Sequence, residues 1–245
     1  MSKSNEKNWN MKMNRKLSFA AIAAAFSAII SLASINDAYA DSKIRRNTAD
    51  FHAITNMAPV DVIYTHGERC EVYLEGDMKY MDKVHTEVKN GTLNIYIERG
   101  RYYNLRMSVI VSSPAIDALT VSGSGEIKVN GPIGGQGSIR IGVTGSGDIE
   151  TEFIDYERID AYVTGSGDIN IVKASGDFCE FKVTGSGDID VDSIDADEIN
   201  LLVTGSGDIS IHGKADVLKA NVTGSGDIAG SMQVNKIETR KTGSG

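Results

Sequence analysis

The heptapeptide Val-Thr-Gly-Ser-Gly-Asp-Ile constrains this chain more than any other feature, because it starts at Val143, Val163, Val183, Val203 and Val222. A looser copy, Val121-Ser122-Gly123-Ser124-Gly125-Glu126-Ile127, precedes these, and Thr242-Gly243-Ser244-Gly245 repeats part of it. The first glycine of each copy falls at 123, 145, 165, 185, 205, 224 and 243, in steps of 22, 20, 20, 20, 19 and 19 residues. A fixed period near twenty means one structural unit stacked on itself, so the sequence predicts a β-solenoid with coils of about twenty residues.

Inside a coil the apolar residues alternate. Ile199, Leu201 and Val203 face one way and Asn200, Leu202 and Thr204 the other, and Ile209 and Ile211 resume the inward set after the corner. The same positions read Ile139, Ile141, Val143 and Ile149 in one copy and Ile159, Ala161, Val163 and Ile169 in the next, so each kind of side chain stacks on its own. The pattern predicts two short strands per coil, joined by a tight Gly-Ser-Gly-Asp corner and a looser one. Glycine suits a corner where stacked backbones pass close together. Lys241 replaces the inward Val of the last copy, which predicts a polar or frayed end, and the open solenoid ends allow homo-oligomer formation.

Upstream, Lys12, Arg15 and Lys16 lead into an apolar run from Leu17 to Ile35 that ends at Ala38-Tyr39-Ala40. This is the pattern of a secretory signal peptide, residues 1–40, cleaved after Ala40. Met11 and Met13 are alternative starts, since Lys12 to Ala40 is already a complete signal. The segment carries five Lys/Arg and two Asp/Glu, so its loss turns the chain's −8 into about −11 on the remaining 205 residues. An acidic product argues against nucleic acid and anionic membrane partners. No later run is apolar and long enough to span a bilayer as a helix, and no block of outer-membrane barrel strands follows. The expected location is periplasmic or extracellular, at the cell surface of a bacterium.

Residues 41–48 read as a flexible leader and 49–112 as strands that cap the solenoid of 113–245. Val60 to Tyr64 and Cys70 to Leu74 are predicted as strands around a turn at Thr65 to Glu68, Asp77 to Val84 as a helical turn, and Asn90-Gly91 as a hairpin turn before Leu93 to Ile97. Leu105 to Val111 is the next strand, ended by Pro114. Cys70 and Cys179 alternate with apolar neighbours and lie several coils apart, which predicts two free, buried thiols rather than a disulfide.

The order of DVIYTHGERCEVYLEGD, TEVKNGTLNIYIE and SVIVSSPAIDALTVSGSGEIKV, followed by Gly-Ser-Gly-Asp coils, resembles the putative autotransporter adhesin head, GIN domain family of bacterial exported proteins, over about 49 to 245. The resemblance implies an all-β, right-handed β-helix with an antiparallel N-terminal cap, and a role in adhesion. It supplies no catalytic residues and no cofactor.

Three constellations stand out in the sequence. Asp148, Asp168, Asp188, Asp208 and Asp227, headed by Glu126, form a file of carboxylates that either binds Ca²⁺ or hydrogen-bonds the corner backbone; the second reading is favoured. The file of Thr144, Thr164, Thr184, Thr204 and Thr223 is a β-branched ladder or a hydroxyl array for a repetitive partner such as a glycan. Arg99, Arg101, Tyr102, Tyr103 and Arg106 gather cationic and aromatic character in one loop, suited to stacking on sugars or holding an anionic group. His52, His66, His85 and His212 are scattered, without metal-ligand spacing. Serines that repeat in every coil do not make a unique nucleophile. The expected function is an exported, non-enzymatic binding or envelope module that meets a cell-surface, glycan or protein partner. The alternative is a carbohydrate-active β-helix lyase or hydrolase using Glu152, Asp155, Glu157 and Arg158.

Overall fold

A computed structural model describes residues 42–243, so the proposed signal peptide lies outside the described residues. The chain is all-β among these residues apart from one 3-10 turn at Met78–Tyr80. Six long strands carry the repeats: β9 (Ile127–Val143), β10 (Ile149–Val163), β11 (Ile169–Gly185), β12 (Ile189–Gly205), β13 (Ile209–Gly224) and β14 (Ile228–Gly243). Each pairs in parallel with the next, one coil on, so Ile149 lies beside Ile169, Ile169 beside Ile189, and Val183 beside Val203. The glycine bends lie directly over one another, as Gly185, Gly205 and Gly224 are register partners.

The expected pair of short strands per coil is replaced by one continuous bent ladder. Pairing of β10 with β9 shifts register at Glu152 and at Glu157, which divides the coil into three sides, Ile149–Thr151, Phe153–Tyr156 and Arg158–Val163. The ladder runs through these bends and breaks only near the Gly-Ser-Gly-Asp corner. Inside, Ile149, Ile169, Ile189 and Ile209 are fully buried in one file, and Val143, Val163, Val183 and Val203 in another. Burial of this kind is available to a coil only when neighbours cover it above and below.

The glycine requirement at the corner is a matter of space. A Cβ on Gly207 would stand 2.0 Å from the carbonyl oxygen of Gly187 in the coil above. At the far end β14 is covered on one side only among the described residues, so Ile237 is 58% exposed and Lys241 pairs with Val222 at the inward position. The polar end expected from Lys241 is present.

The N-terminal strands continue the stack rather than forming a separate unit. β2 (Ala53–Asn56) runs parallel to β8 (Ala118–Val121), and β3 (Asp61–His66) parallel to β9, with Asn56 beside Val121 and Val62 beside Ile127. The corner 57–60 therefore sits on Gly123 to Gly125, and Asp61 heads the acidic file above Glu126. Ala58 and Val60 are tolerated at the glycine positions because the next coil up, β6 (Thr92–Ile97) to β7 (Met107–Ser113), crosses this corner in the loop 98–106 and not in a tight bend. Asn56 is wholly buried and closes the corner: its side-chain amide donates to Val60 O at 2.8 Å, and its Oδ1 accepts from Ala58 N at 3.1 Å.

Two sequence expectations change here. β3 and β4 (Glu71–Gly76) are both strands but do not form a hairpin, because β7 lies between them, parallel to β3 and antiparallel to β4. Ser42–Arg46, expected within a flexible leader, is strand β1, paired antiparallel with β4 from Ser42 and Gly76 to Arg46 and Val72. The Arg46 guanidinium donates to the carbonyls of Met81 and Val84, which ties β1 down. The Asn90-Gly91 hairpin forms as expected between β5 (Val84–Lys89) and β6, with both turn residues at positive φ, 52° and 76°. Cys179 is buried and Cys70 only half-buried; both are free, and Cys70 shares two 3.4 Å contacts with the Phe51 backbone.

Candidate functional site

The acidic file is built by the corner. Asp168 N–H donates to Asp148 Oδ1 at 2.8 Å, Asp188 to Asp168 at 2.8 Å, Asp208 to Asp188 at 2.7 Å and Asp227 to Asp208 at 2.7 Å. One oxygen of each carboxylate from Asp148 to Asp208 thus closes a backbone hydrogen bond in the following coil. Among the described residues, no three His, Cys, Asp or Glu side chains are placed to hold a metal ion. Crowding shows in two members of this edge. Burial, with help from Glu150 and Asp61, raises the Glu126 carboxyl above its ordinary range, and burial with Asp188 does the same at Asp190.

A second file was not recognised in the sequence. Glu157, Asp177, Asp197 and Asp216 occupy the same place at the bend before the third side, and Asp216 accepts from Asn235 Nδ2 at 2.8 Å. It always falls eight positions after the corner Ile in the twenty-residue coils, a spacing that the Gly-Ser-Gly-Asp signature overshadowed.

The loop 98–106 meets the 77–83 turn at the top of the corner stack, since Gly76 pairs with Met107 and Val84 with Ile97. Tyr80 joins them: its ring meets Tyr102 edge-on at 5.4 Å and its hydroxyl donates to Tyr103 O at 3.1 Å. Tyr102 turns inward and donates to Glu98 O at 2.6 Å, so it braces the loop rather than offering a contact surface. Tyr103 is 70% exposed, Met78 61% exposed, and Lys79 Nζ lies 4.5 Å over the Tyr80 ring. Arg99, Arg101 and Arg106 are exposed, and among the described residues none of their three guanidinium groups has a hydrogen-bond or ion-pair partner, although the Arg106 carbonyl accepts from Asp77 N–H at 3.0 Å. The result is a cationic and aromatic crown on a largely acidic solenoid, with four of the five expected residues presented and Tyr102 withdrawn.

The carboxylates of the enzymatic alternative do not converge. Glu152 and Glu157 stand at two different bends, Asp155 lies on the side between them, and Arg158 is engaged with Asp160 at 2.7 Å and Glu180 at 3.6 Å. General acid–base chemistry needs both groups within reach of one bond, and these sit around separate edges of the coil. The threonine file is outward and mostly exposed, with Thr184, Thr204 and Thr223 as successive register partners. His52 and His85 are used in pairs with Asp117 at 2.7 Å and Glu98 at 3.2 Å.

The family model for the putative auto-transporter adhesin, head GIN domain, matches residues 50–231. The chain belongs to this family. The GIN domain fold recurs in solved structures with little sequence in common. A putative adhesin from Bacteroides fragilis superposes with a TM-score of 0.74 at 16% identity, covering 86% of this chain and 97% of its own. A putative adhesin from Parabacteroides distasonis gives 0.71 at 24% identity, covering 83% and 94%. A putative lipid binding protein from the same organism gives 0.69, also at 24% identity and over the same shares. At these identities the likeness establishes the solenoid and its N-terminal strands. No curated protein matches the sequence. Among the described residues, no helix is long and apolar enough to cross a membrane.

Proposed function

We propose that this GIN-domain protein is an exported, non-enzymatic binding module of the adhesion type, released into the periplasm or to the cell surface by cleavage after Ala40. The observation that carries the reading is the crown: Arg99, Arg101 and Arg106, whose guanidinium groups have no partner among the described residues, beside the exposed Tyr103 and Met78, held in place by Tyr80. Exposed guanidinium groups that make no side-chain pair among the described residues leave their planar donor forks open to an anionic ligand. The solenoid beneath supplies a rigid stalk, because every coil is hydrogen-bonded to the next along nearly its whole length. The partner that fits is an anionic group on a cell-surface glycan or protein, and both the family and the solved putative adhesins support an adhesion role.

Purified protein and the Arg99→Ala/Arg101→Ala/Arg106→Ala/Tyr103→Ala variant, compared on whole bacterial and host cells and on a glycan array, test this. Binding by the natural sequence that the variant loses supports the reading. Equal binding by the two removes the crown as contact surface. Intact mass of the exported protein, expected to begin at Asp41, tests the cleavage.

A further inference from the structure

The third side of the coil carries a second constellation, away from the crown. Its outward positions line up as Arg140, Asp160 and Glu180 in one file and Gly142, Tyr162 and Lys182 in the next. Gly142 alone among the latter three has no side chain, and Tyr162 uses the gap. A Cβ on Gly142 would stand 2.2 Å from Tyr162 Cζ and 2.4 Å from its hydroxyl oxygen. The phenol end of Tyr162 therefore lies over the backbone of the coil above, where Gly142 is buried, and the Tyr162 side chain stays half-exposed.

Cations flank this platform. Arg140 lies in the coil of Gly142 and Lys182 in the coil below Tyr162, so their backbone positions are two coils, about 10 Å, apart. Both are exposed, and among the described residues neither has an ion-pair partner. Arg158 sits 4.2 Å over the Phe178 ring and neutralises part of Asp160 and Glu180. Together Arg140, Arg158, Asp160, Tyr162, Glu180 and Lys182 line a shallow depression of about 370 Å³. Its three cations exceed its two carboxylates, whereas the side carrying Glu150, Glu152, Asp190 and Asp192 is acidic. Thr144 and Thr164, which follow the ends of β9 and β10 directly, offer exposed hydroxyls at its margin.

We infer that this depression binds an acidic saccharide, with a pyranose ring stacked on Tyr162 and its carboxylates held by Arg140 and Lys182. A flat aromatic face takes the apolar face of a sugar, and the guanidinium fork matches a carboxylate. A rod with coils repeating every ~4.8 Å presents these groups in line, so a linear uronate oligomer fits better than a compact ligand.

The inference rests on this face and not on the crown, and the test separates them. Trigalacturonate is titrated into the mature protein, with maltotriose as the neutral counterpart, and followed by calorimetry and by tyrosine emission, since the lone Trp9 lies before the cleavage site. Trigalacturonate is expected to bind and maltotriose to bind at least about tenfold more weakly. Tyr162→Ala, and separately Arg140→Ala/Lys182→Ala at exposed side chains, should each lower the affinity for trigalacturonate by at least about tenfold. Arg99→Ala/Arg101→Ala/Arg106→Ala should leave it unchanged. Absence of trigalacturonate binding at millimolar concentration, equal binding of maltotriose, insensitivity to the Arg140/Lys182 pair, or loss only in the crown variant would each overturn the inference. The first three outcomes leave the crown reading untouched.

Discussion

Asp148 and Asp168 meet through a single hydrogen bond, 2.8 Å from the backbone N–H of Asp168 to Oδ1 of Asp148, and the same bond recurs down the corner. Each carboxylate is an intercoil brace that also repels its neighbours one strand spacing away. Asp168→Ala should therefore cost about 1–2 kcal/mol in urea unfolding, whereas Asp168→Asn, which keeps an acceptor and removes a charge, should be close to neutral. If both substitutions cost the same, the bond is not what the aspartate contributes.

The same geometry bears on calcium. With one oxygen of the Asp148 to Asp208 carboxylates committed to backbone, added Ca²⁺ should raise Tm no more than an equal ionic strength of NaCl, and NaCl itself should raise it by screening the file. A saturable, calcium-specific rise in Tm would show a cation site.

Gly207 carries a φ that any residue adopts, so its requirement is contact alone. With Gly187 O at 2.0 Å from the added methyl, Gly207→Ala should separate two coils and lose at least about 3 kcal/mol. Ser206→Ala, exposed beside it, should stay within about 0.5 kcal/mol. Chemical denaturation of the two variants side by side checks this.

Alkaline pH should weaken the fold through three buried groups, Cys179, Tyr64 and Tyr156, the last also raised by burial. Burial pushes the Cys179 thiol up from 9.0 to about 12, and burial pushes the Tyr64 hydroxyl from 10.0 to about 12 against a lowering hydrogen bond from Ser113. All three are raised, so their contribution is complete below the unfolded-state values and falls as pH climbs from about 9 towards 12. The slope is on the order of 1.4 kcal/mol per pH unit for each group. Cys179→Ala should flatten the curve above pH 9. Iodoacetamide at pH 8 should label Cys70 faster than Cys179 in the native protein, and a reversed order in peptide mapping would contradict the burial.

The crown should be dispensable for folding. The guanidinium groups of Arg99, Arg101 and Arg106 have no partner to lose among the described residues, so reversing all three to Glu should shift stability by less than about 0.5 kcal/mol. Tyr80→Phe, which removes the hydroxyl held to Tyr103 O at 3.1 Å, should cost about 1 kcal/mol and loosen the loop. Thermal melts and amide exchange of residues 98–106 distinguish the two effects.

The repeat region was legible in the sequence because a period of twenty carries its own register: once Gly185 stacks on Gly165, Val183, Phe181 and Cys179 have only one place to go. The N-terminal strands carry no such period. Apolar alternation in Val62 and Tyr64, or in Val72 and Leu74, fixes which side faces inward but is blind to the partner strand, and only packing placed β7 between β3 and β4. The corner 57–60 hid its membership of the stack because Ala58 and Val60 stand where glycine is demanded elsewhere, relieved by the loop above them. Likewise Tyr162 and Gly142, twenty residues apart, read as unremarkable letters of a repeat. The ring finds its shelf only when two coils lie one upon the other, since contact across a solenoid depends on stacking and not on sequence neighbours.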